Sequence, residues 1–354
     1  MTGYWLMYMI PSVLALTYNV RQGRPRDQYA QWIVLGIFFA LFVGFRHKVG
    51  GDWFNYLYRY NLLRRESFAD IILMPDPGYV FINWLMHRWD LQIYSVNLAC
   101  GAIFLVGLIV CCMQQPRPWL AFTVAVPYLV FVVAMGYTRQ GVALGFFFLA
   151  IASIEKDGFD STSGFAKYVI FITLATLFHK TALLLLALGI FFHGEKWFFR
   201  VLAILLVGYG LWDLLLAAHQ ETLWRAYVEE QMISEGARVR VAMNLVPSLL
   251  LLYYRKEWKK YFPNYAFWMT LALCSVAGVV LVEFASTAVD RVSLYFTPIQ
   301  VIVLSRLPIL AREKISPRLA TLGIVLGYAA VVYVWFNYAT HAKFWLPYQN
   351  WLLL

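Results

Sequence analysis

Residues 91–113 read LQIYSVNLACGAIFLVGLIVCCM and carry no charge. An α-helix needs about 20 apolar residues to cross about 30 Å of hydrocarbon. This stretch therefore predicts a membrane-crossing helix. Working outward, comparable apolar runs occupy 4–20, 29–45, 119–136, 138–154, 166–179, 181–193, 197–216, 240–254, 265–283, 290–306 and 319–337. The expected fold is an all-α polytopic integral membrane protein with about 12 transmembrane helices, a single transmembrane domain over residues 1–354. Composition agrees, because 62% of residues are hydrophobic and only 14% charged. A soluble chain of this length carries about 25% charged residues. No polar stretch is long enough to build a core of its own, and Met1 enters an apolar segment without the basic start of a cleaved signal peptide.

The four cysteines, Cys100, Cys111, Cys112 and Cys274, all fall inside apolar runs. They read as small residues in lipid-embedded helices, not as a zinc site or a disulfide framework. The net charge of +10 is in part topological, since lysine and arginine collect on the cytoplasmic side. The basic residues are scattered among short connections, so nucleic acid is not an expected partner.

Four charged clusters stand at run ends: Arg46 to Trp53, Thr138-Arg139-Gln140, His179-Lys180, and Glu283 with Asp290-Arg291. All four share one membrane face if 166–193 folds as a hairpin. A single long helix there would reverse everything downstream. The basic stretches Arg21/Arg24/Arg26, Arg255 to Lys260 and Arg306 to Arg318 support the hairpin, because it gathers them on the opposite, cytoplasmic face. Two longer outer segments, 46–90 and 217–239, are expected to hold short or interfacial helices, the first through its aromatic stretches Trp53 to Tyr60 and Tyr79 to Trp89. His341, Lys343 and the following Trp345-Leu346-Pro347-Tyr348 end on the same face as a candidate lid.

Each cluster has a plain reading beside a chemical one. Arg46 and Lys48 can meet lipid headgroups with Asp52 paired to Arg46, whereas Gly50-Gly51 permits a sharp return that aims Asp52 at the bundle. Arg139 can simply snorkel. With Tyr137, Thr138 and Gln140 it also forms a polar helix N-terminus, where anions are favoured. His179 can be a satisfied structural histidine, or a base kept neutral by Lys180. Asp290 and Arg291 can pair with Glu283. There is no phosphate-cradling GxxxxGK[ST], no HExxH and no Asp-x-Asp, so neither a metal site nor a cofactor is expected.

These residues resemble the EpsG-type family of membrane polysaccharide polymerases, related in function to the Wzy O-antigen polymerases. The resemblance rests on Arg46-x-x-Val49-Gly50-x-Asp52-Trp53-x-x-Tyr56, Pro77-Gly78-Tyr79, Thr138-Arg139-Gln140-x-x-Ala143, Phe178-His179-Lys180-Thr181-Ala182, and Asp290-Arg291 with Tyr295. It implies a glycosyltransferase on the outer face of the bacterial inner membrane, with a GT-C-like bundle as one candidate arrangement. Such an enzyme moves a glycan from undecaprenyl pyrophosphate onto a second lipid-linked repeat unit, with a flippase and a chain-length regulator as working partners. A pyrophosphate leaving group needs charge neutralisation, which arginine forks supply. Expected for the pyrophosphate are Arg139 and Arg291, assisted by Arg46, Gln140 and Lys180. The candidate bases are Asp52, His179 and Asp290. Trp53, Tyr56, Tyr79, Tyr137, Glu283 and Tyr295 are candidates for glycan and lipid contact. An O-antigen ligase, a flippase of lipid-linked oligosaccharide and a structural membrane subunit remain as alternatives. One-sided clustering of charge favours an enzyme over the last two.

Overall fold

The computed structural model describes residues 1–18, 29–63, 67–192, 197–212 and 236–354. Arg21, Arg24, Arg26, Arg64, Arg65, the end of the 197–216 run and most of the 217–239 segment lie outside these residues. Among the described residues the fold is all-helical, with one isolated antiparallel bridge between Arg46 and Asn350. The N-terminal half contains α1 (Thr2–Thr17), α2 (Tyr29–Gly44), α3 (Trp53–Leu62), α4 (Phe68–Ile72), α5 (Pro77–Arg88), α6 (Ile93–Met113) and α7 (Pro118–Ala125). A π-helical stretch, Val126–Ala134, continues α7. Then come α8 (Thr138–Asp157), α9 (Thr162–Thr176), α10 (Leu183–Phe192) and α11 (Trp197–Trp212). The C-terminal part holds α12 (Ala237–Ala242), α13 (Leu245–Tyr253), α14 (Arg255–Tyr261), α15 (Tyr265–Leu281), α16 (Ser286–Ser293), α17 (Pro298–Leu310) and α18 (Pro317–Tyr338).

Every apolar run of the sequence is helical over most of its described length, but the lengths do not add up to twelve clear spans. Among the described residues only α6 and α18 are long and apolar enough to cross a membrane. A third candidate joins Ser286–Phe296 to Pro298–Leu310 across a 42° bend. Tyr29–Gly44, Pro118–Ala134, Lys180–Phe192 and Tyr265–Leu281 are apolar but shorter. Local chemistry shapes two of the runs. Pro127 has no amide hydrogen to donate and sits where α7 gives way to π geometry. Asn244 interrupts the 240–254 run, turning its side chain onto the Ser293 carbonyl at 3.1 Å. The surface is nonetheless that of a membrane protein: the outward positions of α2, among them Ile33, Val34, Ile37 and Leu41, are apolar and exposed.

Helix α8 is the centre of the bundle, packed between α6 and α9. Lipid removes the hydrophobic drive between helices, so close packing must supply cohesion. Gly107 and Gly145 let the α6 and α8 backbones touch: a Cβ on Gly107 would lie 1.9 Å from the Gly145 carbonyl oxygen. An aromatic cluster ties the chain ends together. Tyr4 packs on Phe131 at 5.0 Å and Phe336 at 4.4 Å, while Phe42 stacks on Tyr348 at 4.2 Å.

The expected hairpin at His179 is present. The Tyr168 hydroxyl of α9 donates to the Leu185 carbonyl of α10 at 2.6 Å, and Gly189 faces the same ring. The C-terminal segment does not act as the lid the sequence suggested. It runs back along the 45–50 loop: the His47 amide donates to Gln349, the Gly50 amide to Phe344, and the Trp351 amide to Phe45. Backbone pairing to that loop holds residues 344–351 as a strap.

Candidate active site

The strap and a strained turn aim α3. Gly50 has φ +106° and its missing side chain leaves room for the Met135 carbonyl, 2.4 Å from where a Cβ would be. Asp52 then stands at the N-cap position of α3, and Tyr56 follows one turn later on the same face. At the start of α5, Asp76 sits between two prolines with φ 57° and ψ 57°. Residues other than glycine rarely adopt this left-handed geometry, and here it turns the Asp76 carboxylate onto Arg139 as an ion pair. The neighbouring Gly78 amide donates to the Leu177 carbonyl at 2.8 Å. That bond docks the α5 start against the turn carrying His179.

These elements enclose one polar cavity of about 460 Å³. Asp52 and Tyr56 of α3 line it, with Pro75 and Asp76 before α5, and Tyr128 and Tyr137 around the π-to-α transition. Arg139 and Gln140 enter from the first turn of α8, and His179, Lys180 and Thr181 from the hairpin turn. Arg240 of α12 and Thr287, Asp290, Arg291 and Leu294 close it. The last four have the i, i+3, i+4, i+7 spacing of a single helical stripe. Each of the four charged clusters of the sequence thus contributes at least one wall.

Two carboxylates are engaged by arginine. Arg240 grips Asp290 with both arms of its fork, Nε to Oδ1 at 2.8 Å and Nη2 to Oδ2 at 2.5 Å. Arg139 pairs with Asp76 and also faces the Tyr56 hydroxyl. Arg291 is exposed, and no ion pair holds it among the described residues. His179 Nδ1 lies 2.5 Å from Thr181 Oγ1. Burial, helped by Arg139, Arg291 and Lys180, pulls its pKa from 6.5 to about 3. The ring is therefore neutral near pH 7 and too weak a base to hold a proton there.

Five of the residues singled out in the sequence stand behind or beyond this cavity. Arg46 is 1% exposed. It donates to Val43 O at 2.7 Å, Thr138 Oγ1 at 3.0 Å and Asn97 Oδ1 at 3.1 Å, so it braces α2, α6 and the α8 start. Among the described residues it pairs with no carboxylate. Trp53 is buried against Arg46, His47 and Tyr94. Tyr79 is buried edge-on to Tyr56, and Tyr295 is buried where Thr181 Oγ1 donates to its hydroxyl at 3.4 Å. Glu283 does not pair with Asp290 or Arg291; it meets Arg238 at 2.5 Å on the exposed surface.

The sequence reading gave no site role to Asp76, Tyr128, Thr181, Arg240, Thr287 or Leu294. Thr287 and Leu294 were findable from the helical stripe containing Asp290 and Arg291. Asp76 between Pro75 and Pro77 carried a turn signal only, and Tyr128 in its apolar run carried none. Among the described residues no three His, Cys, Asp or Glu side chains converge as metal ligands.

Chemically, the cavity sets four cations, Arg139, Lys180, Arg240 and Arg291, beside three carboxylates and three phenols. Cations of this kind can take the charge of a diphosphate, and a carboxylate can take a hydroxyl proton. No curated protein and no solved structure matches the chain. The EpsG family model matches residues 29–350, which takes in every wall of this cavity, and the chain belongs to the EpsG family.

Proposed function

We propose that this protein is a polysaccharide polymerase, a glycosyltransferase that joins lipid-linked oligosaccharide repeat units at the membrane. Family membership supports a membrane polysaccharide polymerase-type function. The observation that carries the finer reading is the cavity itself, where Arg139, Lys180 and Arg291 face Asp52 across a shared space. The donor is a glycan on undecaprenyl pyrophosphate, and the acceptor a second lipid-linked unit. Lys180, Arg139 and Arg291 neutralise the departing diphosphate, which leaves as a stabilised anion without a proton. Asp52 accepts the proton of the attacking hydroxyl. No metal or cofactor is invoked for either role. The face carrying the cavity is external, in a bacterial inner membrane, and a flippase and a chain-length regulator act beside the enzyme.

The test is a surface-polysaccharide gel from a strain lacking the gene, complemented with wild type, Arg139→Ala or Asp52→Asn. Single repeats replacing a ladder, rescued by wild type and by neither variant, are expected. Complete loss of attached repeats would point instead to a ligase or flippase. An unchanged ladder would overturn the reading.

A further inference from the structure

The wall formed by Asp52, Tyr56 and Arg139 has a second cavity on it. This space, about 630 Å³, adds Asn55, Tyr58, Arg59 and Leu62 to those three residues. The added four fall at i, i+3, i+4 and i+7 along α3, so one continuous face of that helix forms the seat. Asn55, Tyr58 and Arg59 are exposed, Tyr58 by 65%. The Asn55 amide donates to Asp52 Oδ1 at 3.3 Å, linking this seat to the carboxylate at the common wall.

The two spaces differ in chemistry. The first holds Lys180, Arg240 and Arg291, point charges and forks suited to phosphoryl oxygens. The second offers an amide, a guanidinium and an exposed phenol ring. Those groups match the hydroxyls of a sugar and its apolar C–H face. A transfer between two glycans requires two seats that meet at the reacting atoms, and among the described residues only Asp52, Tyr56 and Arg139 belong to both.

Resting on the polymerase reading, we infer that the α3 cavity is the seat of the acceptor sugar, and that transfer takes place at the Asp52–Tyr56–Arg139 wall. The acceptor hydroxyl oxygen forms a bond to the anomeric carbon of the donor. The bond from that carbon to the diphosphate oxygen breaks, its electron pair leaving with the diphosphate. The hydroxyl proton goes to the Asp52 carboxylate, whose other oxygen the Asn55 amide steadies. The opposing reading is that the exposed face of α3 meets only lipid headgroups.

The test uses the full-length protein in nanodiscs and, as probe, the oligosaccharide released by mild acid from lipid-linked glycans of the deletion strain. Saturation-transfer NMR follows its binding. Wild type is expected to bind it, and Asn55→Ala and Tyr58→Ala to weaken binding about tenfold, as loss of one anchoring contact does. Both residues are exposed, so their truncation leaves the core intact. Arg291→Ala and excess inorganic pyrophosphate are expected to leave sugar binding unchanged. Displacement by pyrophosphate, indifference to the α3 variants, or no binding by wild type would each overturn the assignment. Sugar binding that persists on α3 while wild type fails to lengthen the intact lipid-linked glycan keeps the seat and overturns the polymerase reading.

Discussion

Helix α8 carries an arginine–carboxylate contact at each end, and the two ends use the same chemistry for opposite purposes. At its C-terminal end, Glu155 pairs with Arg306. Glu155 also accepts from Trp268 Nε1 at 2.7 Å and Asn264 Nδ2 at 3.4 Å, and Arg306 donates from Nε to Gln115 Oε1 at 3.1 Å. The guanidinium lies 4.8 Å from the Trp258 ring centre and 4.6 Å from that of Phe262. Both charged side chains are 5% exposed or less. At the N-terminal end, about 24 Å away by helical rise, Arg139 pairs with Asp76 but keeps 28% of its side chain open to a cavity. A closed shell makes a pair into a fastener. An open one leaves donor capacity for a ligand.

The sharpest way to break this comparison is to remove one arginine from each end. Arg306→Ala strands Glu155 as a buried charge, and losing one partner of such a pair costs about 3–5 kcal/mol. The expected outcome is poor recovery of folded protein and a clearly lowered unfolding temperature in detergent. Replacing both partners by apolar residues of similar volume, Arg306→Met with Glu155→Leu, is expected to restore most of it. Arg139→Ala should do the reverse: near-normal unfolding, but glycan extension down by about 10²–10³, the usual cost of losing one donor to developing charge. If Arg139→Ala unfolds the protein and Arg306→Ala merely slows it, the roles assigned to the two ends are exchanged.

Much of this contrast was legible in the sequence, and the missing part has a physical reason. Hydrophobic runs predicted the helices because lipid contact demands continuous apolar stretches, and charges at run ends marked Asp52, Arg139, His179 and Asp290. What one dimension hides is which way an end-of-run charge turns. Arg46 looked like Arg139, yet Asn97 and Thr138 face it from other helices and keep it inside. Glu155 and Arg306 are 151 positions apart; Arg306 read as one of several cytoplasmic basic residues, and nothing near Glu155 in sequence points to its partner. Helix lengths were the weakest element. Asn244 breaks a run that hydropathy alone joins, and Pro127 turns another from α to π geometry without ending it.

Proton linkage gives a subtler probe of the open end. Burial, then Arg139, Arg291 and Lys180, hold the folded pKa of His179 near 3 against 6.5 for a free side chain. As pH falls below 6.5, the unfolded chain takes up a proton on this residue and the folded chain does not. Stability is therefore lost as pH drops from about 6.5 toward 3, with one extra proton at most bound on unfolding from this site. His179→Gln should flatten the dependence of unfolding temperature on pH between 6 and 4. The activity profile from pH 5 to 8 should keep its shape in any variant that retains function. A lost limb in that window would make His179 a titrating base after all.

The strap should give the smallest effect, and it tests whether the open end depends on scaffolding around it. Trp345 Nε1 donates to the Phe131 carbonyl at 2.7 Å, and the Tyr4 hydroxyl donates to the Trp345 carbonyl at 3.0 Å. Trp345→Phe removes the first bond and the indole carbons that face Gly136, and keeps the second bond along with a ring against Trp335. One buried hydrogen bond contributes about 1 kcal/mol, so the unfolding temperature should fall by a few degrees at most. Glycan extension should drop less than tenfold, because the Gly50 amide still bonds to the Phe344 carbonyl at 2.9 Å and keeps Asp52 in place. A loss as deep as that of Arg139→Ala would mean that the strap sets the position of Asp52 itself. The open end of α8 would then owe its geometry to residues 344–351 as much as to the helices around it.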